Sequence, residues 1–346
     1  MNIREVAKKA KVSTATVSRT INHVSTVDPQ LAKRVWKVVE QFGFHPNVQA
    51  RALVSGRSRI VGLVVSEITN PFFPEIVRAF EEIAVDHNYE ILLGSTGSDS
   101  KRTELAVRRM IERRVDGVAV LTFGMEEDLM AHLRYRKVPL VFVDVGPPVN
   151  GVSNINIDYQ TGIRQGVQHL AGLGHRRIAF ISGPLRLKSA QARKKAFETA
   201  IREKQLRIPK GFVIEGDHTL EGGMRCLARL AALKSRPTAV MCSNDMTAIG
   251  VLREAYELGI SIPDQLSVVG FDDIHLAQFV TPPLTTIQMS QTALARLAFD
   301  ALMDALKVEC PSETSRNYVL TTSLVLRKST ALAAQVRESG ICQSLF

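Results

Sequence analysis

Thr14, Ala15, Ser18 and Arg19 fall on one side of a short helical stretch, Thr14 to Asn22, whose other side carries Val17 and Ile21. An outward Arg can hold the two acceptors of a guanine edge bidentately, and Thr or Ala can touch a thymine methyl. The chemistry these side chains suit is therefore base reading in a DNA major groove. Ser13 stands where an N-cap opens such a helix. Ahead of it Ile3, Val6, Ala7 and Ala10 recur at helical spacing, Lys8, Lys9 and Lys11 stay in water, and Lys11-Val12-Ser13 interrupts the pattern. Helix, tight polar turn and second polar helix make a helix-turn-helix. A helical hairpin with a solvated outer face would show the same pattern.

Charge separates the two readings. Residues 1–59 carry 11 Lys or Arg against three acidic groups, a net of +8, whereas the whole chain of 346 residues is only +10. Nearly all the excess sits on the first sixth of the chain, the electrostatic footprint of a module that binds phosphates. A third helix continues this segment: Asp28 caps it, Pro29 fits its first turn, Leu31, Val35, Val38, Val39 and Phe42 form its apolar face, and Gly43 ends it. Trp36 on this helix reads as structural. After His45-Pro46-Asn47 comes a short helix-compatible run, Val48 to Val54, and then a flexible boundary at Ser55-Gly56-Arg57-Ser58.

The length suits a small domain followed by a large one, and 45% hydrophobic residues suffice for a core. No apolar run approaches the roughly 18 to 20 residues of a membrane span, and the first residues lack a signal-peptide apolar region, so a cytoplasmic protein is expected. Cys226, Cys242, Cys310 and Cys342 have neither metal-ligand nor redox spacing and read as reduced thiols. No metal or cofactor is expected.

From Ile60 onward short apolar strands alternate with helices. Strands are predicted at Ile60 to Val65, Glu90 to Leu93, Gly117 to Leu121 and Leu140 to Val143, with helices near Phe73 to His87, Thr103 to Arg113 and Glu126 to Tyr135. A second series places strands at Ile178 to Ile181, Phe212 to Glu215, Ala239 to Cys242 and Ser267 to Phe271. Its helices lie near Thr161 to Leu173, Ser189 to Glu203, Glu221 to Leu233 and Asp245 to Leu258. Such alternation predicts an α/β core of two doubly wound parallel sheets, one per lobe, with a ligand site in the cleft at the carboxyl ends of the strands.

Eight blocks in order carry a resemblance. They are Asn2-Ile3-Arg4-Glu5-Val6-Ala7, Val12-Ser13-Thr14-Ala15-Thr16-Val17-Ser18-Arg19, Pro46-Asn47 with Ala50-Arg51-Ala52-Leu53, Asn70-Pro71-Phe72-Phe73, Leu173-Gly174-His175-Arg176-Arg177-Ile178, Ser243-Asn244-Asp245, Gly270-Phe271-Asp272 and Pro283-Leu284-Thr285-Thr286-Ile287. In order and spacing they resemble the bacterial LacI/GalR repressors over about residues 2 to 330. The resemblance implies a homodimeric transcription factor: an all-α helix-turn-helix headpiece on a palindromic double-stranded operator, joined to a two-lobed core similar to periplasmic sugar-binding proteins. It implies domains at 1–46 (headpiece), 47–58 (hinge helix and linker), 59–330 (core) and 331–346 (tail). Within the core, one lobe takes about 59–158 and 288–320, the other about 159–287 and 321–330.

Residue by residue, the resemblance makes Thr14, Ala15 and Arg19 base readers, with Ser13, Thr16, Ser18 and Asn22 nearer the phosphates. Leu53 matches a wedge that enters the minor groove beside its twin, kinking the DNA at a cost of a few kcal/mol that the wider contact offsets. Asn70, Phe72, Phe73, Asp144, Arg193, Asp245 and Asp272 match positions near the effector cleft. Carboxylates, Arg and an aromatic face suit a polyol, so a sugar or sugar derivative is the expected effector. His218 stands where relatives often carry a stacking aromatic; with Arg193 it leaves a phosphorylated or acidic ligand open. Asn70-Pro71 as a plain turn, Asp144 or Asp245 as a helix cap and Phe72 and Phe73 as core are the structural alternatives.

An enzyme reading finds little support. Gly94-Ser95-Thr96-Gly97-Ser98 lacks a Walker lysine, no Gly-x-Gly-x-x-Gly opens a helix, and Asp272, Asp273 and His275 come without a nucleophile elbow or zinc motif. An α/β sugar-binding or sugar-metabolising enzyme with a basic tail is the competing class; it would turn over its ligand. The tail from Ala331 shows no leucine heptad, so a dimer is expected rather than a tetramer.

Overall fold

Residues 2–21, 26–44, 56–97, 99–122, 138–144, 152–307 and 316–333 are described by the computed structural model. They form two compact units, Met1–Arg59 and Ile60–Phe346. Asn22, the hinge run Val48 to Val54 with Leu53, the helix expected at Glu126 to Tyr135, Cys310 and Cys342 lie outside the described residues.

In the first unit Asn2 and Glu5 form a capping box that starts α1 (Ile3–Ala10), and Lys11 at φ 52° ends it. Ser13 Oγ accepts the Thr16 N–H at 3.0 Å and so starts α2 (Thr14–Ile21). Asp28 caps α3 (Pro29–Phe42), which stops at Gly43 with φ 57°. Val6, Ala7, Ala10, Val17, Ile21 and Val35 make the small core.

Two apolar residues depart from the expected faces. Ile3 is 36% exposed, and Phe42 is 43% exposed with the Lys9 ammonium 4.0 Å above its ring. Phe44 fills the inward place instead, because the turn at Gly43 bonds Phe44 N–H to Val39 C=O and folds the chain back over the helix end. Arg34 is also committed to the fold: its guanidinium donates to the carbonyls of Ala10 (2.6 Å) and Lys11 (3.2 Å) and ties α3 to the end of α1.

The second unit holds two six-stranded sheets. The first has the order β11-β5-β4-β3-β1-β2, all parallel. Its strands are β1 (Ile60–Val65), β2 (Glu90–Ser95), β3 (Gly117–Leu121), β4 (Leu140–Val143), β5 (Val152–Asp158) and β11 (Asn317–Thr321). The second has the order β12-β10-β9-β8-β6-β7, parallel except for β12 against β10. It comprises β6 (Ile178–Ser182), β7 (Val213–Glu215), β8 (Ala239–Cys242), β9 (Ser267–Asp272), β10 (Thr285–Gln288) and β12 (Ser323–Val325).

Helices cover the sheets: α4 (Phe72–Asp86), α5 (Ser100–Glu112) and α10 (Gln291–Leu306) the first; α6 (Tyr159–Gly172), α7 (Lys188–Glu203), α8 (Leu220–Ala231) and α9 (Asp245–Glu257) the second. The chain passes between the lobes after β5, after β10 and between β11 and β12. Sequence periodicity missed the elements around these crossings. β5 alternates polar residues, yet Ser153 and Asn154 are buried within the sheet, so no apolar run marks it. β11 and β12 are edge strands too exposed to read as apolar runs. Elsewhere the differences are at ends: β2 runs on through Ser95, β7 begins at Val213 and α6 begins at Tyr159. Cys226 and Cys242 are buried and free.

Candidate effector cleft and DNA-reading helix

The carboxyl ends of β1, β6, β8 and β9 open onto one cavity of about 490 Å³, counting its part open to solvent. Ser66, Glu67, Asn70, Phe72 and Phe73 line it from one lobe, and Leu187, Ser189, Arg193, His218, Asn244 and Asp272 from the other. Six of the eight expected effector positions therefore meet in one place.

Arg193 is the centre of the site. It projects from α7, where Leu187 leads into the helix, and its guanidinium lies 4.2 Å from the Phe271 ring and 5.1 Å from the Tyr159 ring. One Nη donates to Ser243 C=O, the other stands 3.7 Å from Asp272 Oδ1, and Nε is buried without a protein partner. Two rings thus hold the planar cation in orientation on the cavity wall.

Asp272 ends β9 with φ 110°, and Asp273 follows at φ 56°. Two successive non-glycine residues in the left-handed region are strained and need outside support. Gln291 Nε2 donates to Asp272 C=O (3.0 Å), and Arg327 and Gln288 hold the Asp273 carboxylate at 2.6 and 2.9 Å. Across the cleft Glu75 Oε1 accepts the His275 N–H at 2.9 Å. Burial pushes the Asp272 carboxyl up to about 7 against the pull of Arg193, with Glu75 adding to the rise.

His218 does not supply the cationic charge anticipated for an anionic ligand. Burial, and then Arg193, lower its imidazole to about 3, so it is neutral at physiological pH. Its Nε2 is shared with Ser243 Oγ at 2.9 Å, and its ring lies where a Cβ on Gly183 would sit, 1.9 Å from Nε2. Only glycine admits it there.

Asp144 and Asp245 stand off the cavity wall. Asp144 accepts the Ile157 N–H (2.8 Å) and the Tyr159 hydroxyl (2.6 Å), which positions the ring under Arg193; burial raises its carboxyl above the usual range. Asp245 accepts the Ile274 N–H (2.9 Å) and the Thr286 hydroxyl (2.5 Å). Its Oδ1 occupies the place a side chain at Gly270 would need, 2.1 Å from that Cβ. Burial drives this carboxyl well above its ordinary range, with the nearby Asp272 adding to the rise.

Sequence reasoning did not place Ser66, Glu67, Leu187, Ser189 or Asn244 at the effector site. Ser66 and Glu67 directly follow β1, so the strand-end rule could have found them. Asn244 both caps α9 through the Thr247 N–H and donates to His218 C=O, a role that only the turn geometry reveals.

On the first unit Thr14, Ala15 and Arg19 are exposed, and Thr16 and Ser18 are half-buried on the same helix. Ser13 Oγ lies 2.9 Å from Thr16 Oγ1, and the buried Thr20 hydroxyl donates to Thr16 C=O. The inward groups are bonded within the fold, which leaves Thr14, Ala15 and Arg19 free of internal hydrogen-bond duties among the described residues. Among those residues, too, no cluster of His, Cys, Asp or Glu is placed to hold a metal, and no helix is long and apolar enough to cross a membrane.

Residues 2–47 match the description "Bacterial regulatory proteins, lacI family", and residues 167–330 match "Periplasmic binding protein-like domain". The HTH-type transcriptional repressor PurR of Glaesserella parasuis serovar 5 is 36% identical over 94% of this chain and 97% of its own length. The chain belongs to the LacI family. Catabolite control protein A of Priestia megaterium is 32% identical over 83% of this chain and 87% of that protein. The crystal structure of the lac repressor dimer bound to operator and the anti-inducer ONPF superposes with a TM-score of 0.84 at 27% identity, covering 96% of this chain and 99% of that one. This LacI-family protein is a DNA-binding transcriptional regulator of the repressor type, with a small-molecule-binding two-lobed core. The relatives are repressors rather than enzymes.

Proposed function

We propose that this regulator binds a neutral, hydroxyl-rich effector, a sugar or sugar derivative, between Arg193 and Asp272, and that the ligand alters the grip of a homodimer on a palindromic operator. The observation that carries the reading is the Arg193–Asp272 pair, a held cation facing a carboxylate acceptor on the wall of one cavity. Neighbouring hydroxyls of a polyol can accept from one and donate to the other. Phe72 and Phe73, edge to face with centroids 5.3 Å apart, bound the opposite wall. A phosphorylated ligand is less well served: His218 is neutral, Arg193 already faces a carboxylate, and Glu67 adds a negative charge.

Thermal-shift screening of sugars, sugar phosphates and nucleobases tests this directly, because a ligand that binds only the folded core raises its stability. A free sugar is expected to raise the midpoint. Stabilisation by a nucleobase or a sugar phosphate alone would replace the sugar reading.

Residues 1–46 would form the operator-reading headpiece and 47–58 the hinge, with Arg19 as the main base reader. Arg19→Ala is expected to cost roughly 1 to 3 kcal/mol on the operator and relax preference at one base pair per half-site. Titrations on operators substituted at each position check this; an unchanged preference profile would remove Arg19 from the base-reading set.

The clamp on the strained loop couples ligand to lobe position. Gln291 starts α10, which packs on α4 in the lobe opposite Asp272. Gln291→Ala should leave effector and operator affinities within a few-fold of wild type while weakening the coupling between them by about 1 kcal/mol. Operator titration with and without saturating effector reads the coupling. If it is unchanged, the clamp does not transmit.

A further inference from the structure

We infer that the arginine face of α5 is a second DNA contact, one that grips the phosphates of duplex flanking the operator and lies outside the base-reading headpiece. Helix α5 and its end carry Lys101, Arg102, Arg108, Arg109, Arg113 and Arg114, all exposed, against Glu104 and Glu112. Arg102, Arg109 and Arg113 stand at i, i+7 and i+11, so they share one edge of the helix within about 40° and run along it for about 16 Å. Glu104 and Glu112 lie about 160° and 80° away from that edge.

Among the described residues none of these six cations has an ion-pair partner, although Glu104 and Glu112 stand four residues from Arg108. Elsewhere among the described residues exposed arginines divide: Arg78, Arg225 and Arg253 are paired with Glu82, Asp217 and Glu257, whereas Arg186, Arg202, Arg207, Arg229 and Arg236 stand singly on their surfaces, so what sets α5 apart is the crowding of six such cations on one helix and its end. A face made only for solubility has its charges interspersed and paired at such spacings. Five of the six are Arg, whose planar fork matches phosphate oxygens bidentately. The helix is also firmly seated, with Thr103, Val107 and Met110 buried beneath it, so the backbone positions from which the stripe projects are fixed.

Its place in the chain favours DNA as the polyanion. The end bearing Arg113 and Arg114 lies where the chain enters the core, since Asp116 N–H donates to Ile60 C=O at 2.8 Å. That point is tied to the DNA-binding headpiece by residues 45–59, a tether of at most roughly 55 Å, so DNA held by the headpiece is at high local concentration for this face.

The test uses the full-length protein and an operator recovered by selection from random duplex, presented trimmed to its ends and at the centre of a duplex of about 60 base pairs. Affinity is measured against salt. Each phosphate contact contributes about 0.9 to the slope of log K against log salt. On the long duplex, Arg102→Ala/Arg109→Ala/Arg113→Ala is expected to lower that slope by about 2 to 3 and the affinity at low salt by roughly tenfold or more. On the trimmed operator the variant and wild type should agree, which separates this contact from the headpiece. Equal slopes on the long duplex would overturn the proposal and leave the stripe to an acidic protein partner or to solvent. Arg109→Glu, a single exposed change, gives the same reading if the triple variant folds poorly: a smaller slope on the long duplex alone supports the contact, and no change refutes it.

Discussion

Arg193→Ala is expected to abolish the effector response while the protein still binds operator. The guanidinium is held by two rings and a carbonyl and faces Asp272, so truncation removes the ligand's donor and leaves a buried carboxylate without its counter-charge. Loss of one partner from such a pair costs about 2 to 5 kcal/mol, or roughly 30-fold to several-thousand-fold in effector affinity. Arg193→Lys should not restore it, because an ammonium neither stacks between Tyr159 and Phe271 nor presents the same donor geometry. Calorimetry with the sugar found by thermal shift, alongside operator titrations with and without it, measures both halves. A variant that binds this sugar with wild-type affinity would move the site elsewhere.

The same pair makes the response depend on pH. With its carboxyl at about 7, Asp272 passes from largely protonated at pH 6 to largely ionised at pH 8. An ionised carboxylate accepts hydroxyl hydrogens in stronger, charge-assisted bonds, so effector affinity should rise across that window and flatten in Asp272→Asn. Stability runs the other way. The unfolded group titrates near 3.8 and the folded one near 7, so between those values the folded state holds more protons and its stability falls as pH rises. Asp272→Asn should lose this part of the pH dependence. If wild type and variant show parallel stability profiles from pH 4 to 7, Asp272 does not titrate in that range.

The second helix of the helix-turn-helix was legible because each of its features is local: a cap at Ser13, inward Val17 and Ile21, outward Thr14, Ala15 and Arg19. The apolar strands of both sheets were legible because parallel strands buried on both faces read as unbroken runs, as in β1, β3 and β8. The crossings between the lobes were not, since β5 hides its burial behind Ser153 and Asn154. Within the cleft, spacing located the loops but not which side chain of each lines the cavity. In Ser243-Asn244-Asp245 all three are buried, and only Asn244 lines the cavity. Ser243 bonds Arg193 and His218, and Asp245 turns into the fold. His218 was read by its type as a possible cation, whereas its burial beside Arg193 makes it neutral.

Asp245→Ala should therefore unfold the core rather than empty the cleft. The substitution strands two buried donors, the Ile274 N–H and the Thr286 hydroxyl, each worth about 1 to 3 kcal/mol when left without a partner, and opens space against Gly270; a total near 3 to 5 kcal/mol is expected. Asp245→Asn separates charge from shape. Because burial and Asp272 already favour the protonated carboxyl, an amide of the same size can accept from Ile274 with its oxygen and donate to the Thr286 hydroxyl with its nitrogen. The Asn variant should lose about 1 kcal/mol or less and keep its effector affinity. Urea unfolding of both variants, with calorimetry of the Asn protein, decides between a fold-holding and a ligand-holding Asp245. An Asn variant as stable as wild type but unable to bind the effector would return this residue to the cleft wall.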